Sequence, residues 1–113
     1  MRRDTRALLE DILRAATRIQ AYVAGKTLAD FNRDEQLRDA VYFQFIVIGE
    51  ALGALRQHAE GVYDRISENH RIVGFRNQIV HGYFALSDNI TWRTIETKLR
   101  TLIDEVRSLQ KEA

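Results

Sequence analysis

The sequence predicts an all-α fold, an antiparallel up-and-down four-helix bundle, and three observations carry that prediction. The 113 residues include no proline, the residue that most strongly interrupts a helix. Apolar residues recur at three- and four-residue intervals over long stretches, which is the period of an amphipathic helix and not of a strand. The length suits a single domain over 1–113, large enough to bury about two-thirds of its unfolded surface in one core.

The first helix can be capped by Asp4 or Thr5. Leu8, Ile12, Ala15, Ile19 and Val23 form its apolar stripe, widened by Leu9, Leu13 and Ala16, while Arg6, Glu10, Arg14 and Arg18 form a solvated face. Gly25 ends it. A loop follows around 26–31, and Asp30 or Asn32 can cap a second helix running through Leu37, Val41, Phe45, Ile48, Leu52 and Leu55 to about His58. Its middle is apolar all round, so it should meet neighbours on more than one side, either inside the bundle or at a face shared with another chain. Gly49 and Gly53 would let a neighbouring backbone approach closely. Glu50 stands out on this helix: on a buried surface its carboxylate would require an Arg, His or Tyr partner, whereas at a solvent edge it would need none.

The stretch 61–65 reads as a connection. Ser67 or Asn69 can begin a short third helix carrying Ile72, Val73, Phe75, Ile79 and Val80. Ser87 or Asp88 can cap the last helix, in which Trp92, Ile95, Leu99, Leu102, Val106 and Leu109 make one sustained seam.

Composition narrows the function. With no cysteine, disulfides, thiolate metal sites and cysteine nucleophiles are excluded, and a cytoplasmic location is expected. His58 and His70 lack the spacing and the acidic neighbours of a metal site and are expected at the surface, so neither metal nor cofactor is anticipated. The most hydrophobic run, 40–55, is interrupted by Gln44 and Glu50 and is shorter than the roughly 20 residues that cross a bilayer; no membrane association is expected, and the first residues do not read as a secretory signal. A net charge of +1 is too small for broad attraction to nucleic acid, so any phosphate must be held locally.

Local chemistry concentrates in Arg76-Asn77-Gln78-Ile79-Val80-His81-Gly82-Tyr83. An arginine can fork two bonds to a phosphate, and an imidazole titrates near pH ~6.5, so the pair suits work on a phosphodiester. Arg76 and His81, five positions apart, diverge by about 140° on a regular helix unless the helix ends near His81. Gly82 is the expected left-handed residue just past such an end. The same residues also fit a plain helix C-terminus, where a histidine suits the exposed carbonyls.

Arg76, His81 and Tyr83 occupy the positions of an R-x4-H-x-Y signature, and the stretch resembles the HepT-like toxins of the HEPN superfamily, small all-helical ribonucleases. Asn77 after the arginine and Ile48-Gly49-Glu50-Ala51 upstream are also similar, and the resemblance runs from about Asp34 to Leu102. It departs at 67–71, where the family commonly carries an aromatic residue.

The resemblance implies a metal-independent endoribonuclease acting on mRNA or tRNA. His81 would be general base on the ribose 2′-hydroxyl, Arg76 would stabilise the phosphoryl oxygens, and Asn77 and Glu50 would support them. It also implies a homodimer and a type VII toxin–antitoxin pair, in which an MntA-like minimal nucleotidyltransferase antitoxin inhibits the toxin by transferring AMP to Tyr83. The added phosphate is expected within reach of Arg76. The residues alone equally allow a non-catalytic subunit that binds a nucleotide or a nucleotidyltransferase through the same Arg and Tyr.

Overall fold

The apolar stripe of the first segment folds as α1 (Arg3–Val23), burying Leu9, Ile12, Ala15, Ala16 and Ile19. The structure, a computed structural model, describes residues 2–112. Neither expected cap forms: Arg2 precedes the helix, Asp4 lies in its first turn and Thr5 is buried. Gly25 does turn the chain, at φ 73°.

The expected loop that follows is instead a short helix, α2 (Leu28–Arg33). Thr27 and Asp30 close a reciprocal capping box, with the Asp30 N–H donating to Thr27 Oγ1 at 3.2 Å and the Thr27 N–H to Asp30 Oδ2 at 2.9 Å. Asp30 therefore serves its own helix. Asp34 caps the next, α3 (Glu35–His58), by accepting from the Leu37 N–H at 3.0 Å.

α3 is the centre of the bundle and packs α1 on one side and α5 (Asn69–Gly82) on the other. Tyr42 meets Tyr83, Phe45 meets Phe75, and Gly49 lies against Arg76 and Ile72, so the two helices run antiparallel. Between them the supposed connection contains α4 (Glu60–Asp64), which buries Tyr63. Neither predicted residue caps α5. Ser67 donates through its hydroxyl to Glu105 at 2.7 Å, Asn69 donates to the Tyr63 carbonyl at 2.9 Å, and Glu68 enters the helix in the left-handed region at φ 63°.

Beyond a 3-10 turn at Tyr83–Ala85, Ser87 caps α6 (Asp88–Thr97), as predicted, accepting from the Ile90 N–H at 3.3 Å. The last seam is interrupted at Lys98 and resumes in α7 (Leu99–Lys111). α7 returns along α1, where Gln110 donates to Glu10 at 3.0 Å. The result is an all-α, HEPN-like bundle of α1, α3, α5 and the α6–α7 pair, with no strand among the described residues. None of its helices there is long and apolar enough to cross a membrane.

Candidate active site

Gly49 decides how α5 lies on α3. A Cβ at that position would stand 2.3 Å from Arg76 Cβ and 2.7 Å from its Cγ, so only glycine allows the Arg76 stem to cross α3 here. Gly53, the other small residue of the pair, faces open space and plays no such part.

Laid over Gly49, the Arg76 guanidinium donates through Nη2 to Glu50 Oε1 at 3.0 Å and through Nη1 to Asn77 Oδ1 at 3.1 Å. Its Nε is buried with no partner among the described residues. Glu50 is thus no buried carboxylate: its side chain is 61% exposed, and yet it is paired. Each terminal nitrogen of the guanidinium keeps a second N–H, a fork suited to a phosphate.

His81 stands elsewhere. α5 continues through Gly82, so it does not end before the histidine, and the two side chains diverge as the helical rotation dictates. Arg76 faces α3, while His81 lines a groove of about 450 Å³ with Gln78, Leu86, Ser87 and Ile90. The imidazole is exposed and has no hydrogen-bond partner among the described residues. Asn77 holds the guanidinium and makes no bond to the imidazole. Gly82 is not left-handed either: its φ is −152°, and the chain leaves the helix through the 3-10 turn.

Tyr83 is 37% exposed. Its ring packs edge-on against Tyr42 at 5.5 Å and Phe84 at 5.7 Å. The hydroxyl donates to the Asp39 carboxylate. Burial, and then that carboxylate, push the phenol up to about 12. Asp39 was not a candidate from the sequence, because it lies 44 positions upstream on a polar stretch and nothing local ties it to the signature. On α3, Asp39 and Glu50 are separated by about 16 Å of helix. A phosphate on Tyr83 would therefore not reach Arg76 of the same chain, contrary to the expectation.

The structure thus gathers Arg76, Asn77 and Glu50, and sets His81 and Tyr83 apart from them. His58 is exposed, and His70 shares a hydrogen bond with Tyr63 at 3.0 Å. No cluster of three or more metal-binding side chains occurs among the described residues.

Comparison with known proteins gives a match of residues 12–109 to the family described as Ribonuclease HepT-like. The chain is similar to a "putative RNase" of Caldanaerobacter subterraneus subsp. tengcongensis, with 31% identity across 95% of this chain and 96% of that protein. It is also similar to a "probable ribonuclease HepT" of Thermococcus cleftensis, with 24% identity across 98% of this chain and 100% of that protein. A Methanocaldococcus jannaschii protein named as a gamma-glutamylcyclotransferase and "putative RNase" is 28% identical over 99% of this chain, which spans 50% of that relative's length. No solved structure matches.

Proposed function

Because the chain belongs to the HepT-like ribonuclease family of the HEPN superfamily, we propose that it is a metal-independent endoribonuclease, the toxin of a type VII toxin–antitoxin pair. The observation that carries this is the Arg76 guanidinium, held between Glu50 and Asn77 with an N–H fork left open. His81 takes the proton of a ribose 2′-hydroxyl, whose oxygen attacks the adjacent phosphorus; the 5′-oxygen leaves with a proton taken from water, and a 2′,3′-cyclic phosphate remains. Arg76 stabilises the charge on the phosphoryl oxygens. Glu50 and Asn77 are positioning residues.

Within one copy Arg76 and His81 point apart, so the site is completed in a homodimer, where His81 of one copy meets Arg76 of the other. Exposed Val80 and fully exposed Phe84 flank His81 and give a second copy an apolar surface to cover. The test uses synthetic RNA in chelator, beside the same strand with 2′-deoxyribose at the cut site. Cleavage of the deoxy strand would exclude the mechanism. Mixing Arg76→Ala protein with His81→Ala protein should restore a fraction of wild-type cleavage; no recovery on reassembly would exclude a site shared between copies.

Tyr83 is the proposed acceptor of AMP from an MntA-like nucleotidyltransferase antitoxin. Its phenol is neutral at physiological pH, and Asp39 is placed to take the proton as the oxygen attacks the ATP α-phosphorus and pyrophosphate leaves. The bulky nucleoside then obstructs the site shared between the copies. Intact mass after coexpression should show AMP-sized additions that vanish in Tyr83→Phe, and modified protein should not cut RNA.

The divergence of Arg76 and His81 also favours a second reading, a non-catalytic subunit that binds phosphate through Arg76. Purified dimer that binds RNA without cutting it would select that reading.

A further inference from the structure

α5 and α6 follow one another in the chain but separate over most of their length, and their facing sides line one groove. Its first half, about 500 Å³, lies over Phe45, Ile72 and Phe75, with Arg71, Arg93 and Lys98 along the rim. Its second half is the space beside His81. Phe75, Gln78 and Ile90 line both halves, so the two are continuous. From Glu68 to Gly82 the groove follows about 20 Å of α5.

The floor is aromatic and aliphatic: Phe75 packs edge-on against Phe45 at 5.1 Å, and Ile90 is exposed beside it. On the rim, Glu68 pairs with both Arg71, at 3.5 Å, and Lys98, at 3.3 Å. Three cations therefore face one carboxylate, and Arg93 has no ion-pair partner among the described residues. Gln78, in mid-groove, has no hydrogen-bond partner among them either. This local excess of positive charge occurs in a chain whose net charge is only +1.

We propose that the α5–α6 groove is a binding site for unpaired RNA, with bases against Phe75 and Ile90, a backbone phosphate on Arg93, and the strand leading to His81. The inference rests on the ribonuclease reading for the identity of the polymer. A single strand presents flat apolar faces inward and a run of phosphates outward, which matches this apolar floor and cationic rim, whereas a second copy of a chain whose net charge is +1 brings no such run of negative charge to the rim. Duplex RNA hides its base faces by stacking and does not fit the same description.

The test measures binding of a 2′-O-methyl single-stranded oligoribonucleotide, which this chemistry cannot cut, so that binding is read apart from cleavage. Arg93→Glu should weaken it about tenfold or more, and Arg93→Gln should reduce the salt dependence by roughly 0.7 in slope. Phe75→Leu should weaken it about ten- to hundredfold; since Phe75 touches the core, its melting temperature is measured alongside, and exposed Arg93 carries the test if Phe75→Leu unfolds. On cleavable RNA, Arg93→Gln should raise KM and spare kcat. Unchanged affinity in Arg93→Glu overturns the proposal, as does equal affinity for duplex RNA. So does a change of oligomeric mass in Arg93→Glu, which would make the groove a protein interface. If wild type binds the oligonucleotide through Arg93 but cuts no RNA, the ribonuclease reading fails and the groove assignment stands.

Discussion

The two sides of α5 are closed in opposite ways. Toward α3, the missing Cβ of Gly49 lets the Arg76 stem pack directly on the neighbouring helix, and Glu50 and Asn77 fix its guanidinium. Toward α6, the helices part, leaving a groove in which the side chains of Gln78, His81 and Arg93 have no hydrogen-bond or ion-pair partner among the described residues. One helix thus carries a group that must hold still, on its packed side, and groups that must meet another molecule, on its open side. A pre-positioned cation loses little freedom when a phosphate arrives, whereas an unpartnered imidazole stays free to exchange a proton.

The largest expected effect tests whether both sides serve one reaction. His81→Ala and Arg76→Ala should each lower kcat by about 10²–10⁴-fold on a synthetic RNA. Loss in only one of them would separate the two sides functionally.

Next comes the closed side itself. Gly49→Ala forces a carbon into the Arg76 stem and should cost about 3 kcal/mol in chemical denaturation. Gly53→Ala, with nothing near its added carbon, should be neutral or more stable by roughly 0.5–1 kcal/mol. Equal costs at the two glycines would refute the close approach.

A smaller effect concerns how α6 is tied to α3 beyond the open groove. Buried Tyr42 donates to Asp88 and shares a hydrogen bond with Thr91, both at 3.0 Å, and burial first of all pushes its phenol up to about 12 from 10.0. The unfolded chain ionises first, so this contribution is complete below pH 10 and is lost as pH rises toward 12. Stability should fall by on the order of 2 kcal/mol across that window, and Tyr42→Phe should flatten the fall. The smallest expected change is at Glu50. Its exposed carboxylate only orients Arg76, so Glu50→Ala should lower kcat by a few-fold with KM nearly unchanged, and Glu50→Gln should recover most of it.

Some of this was legible in the residues and some was not, for reasons that differ by position. The long stripes of α1 and α3 announced themselves, because burial of a helix face imposes its period on the sequence. α2 and α4 did not: each is under two turns, too short to show a period, and each buries a single aromatic, Phe31 or Tyr63. The Lys98 interruption was hidden because apolar spacing continues across it. Gly82 was misread because glycine tolerates a left-handed backbone without requiring it, while at Gly49 the close approach was foreseen and its partner was not.

Sequence alone determined the all-α class, the principal helices and the identity of Arg76, His81 and Tyr83 as the residues to watch, since periodicity and a short signature are local properties. Only the tertiary structure decided what each of them faces. Glu50 was brought to Arg76 from 26 positions away and Asp39 to Tyr83 from 44, and α6 was set apart from α5 to open the groove. Those pairings depend on where helices distant in sequence come to lie, which packing of the whole bundle settles and no local pattern encodes.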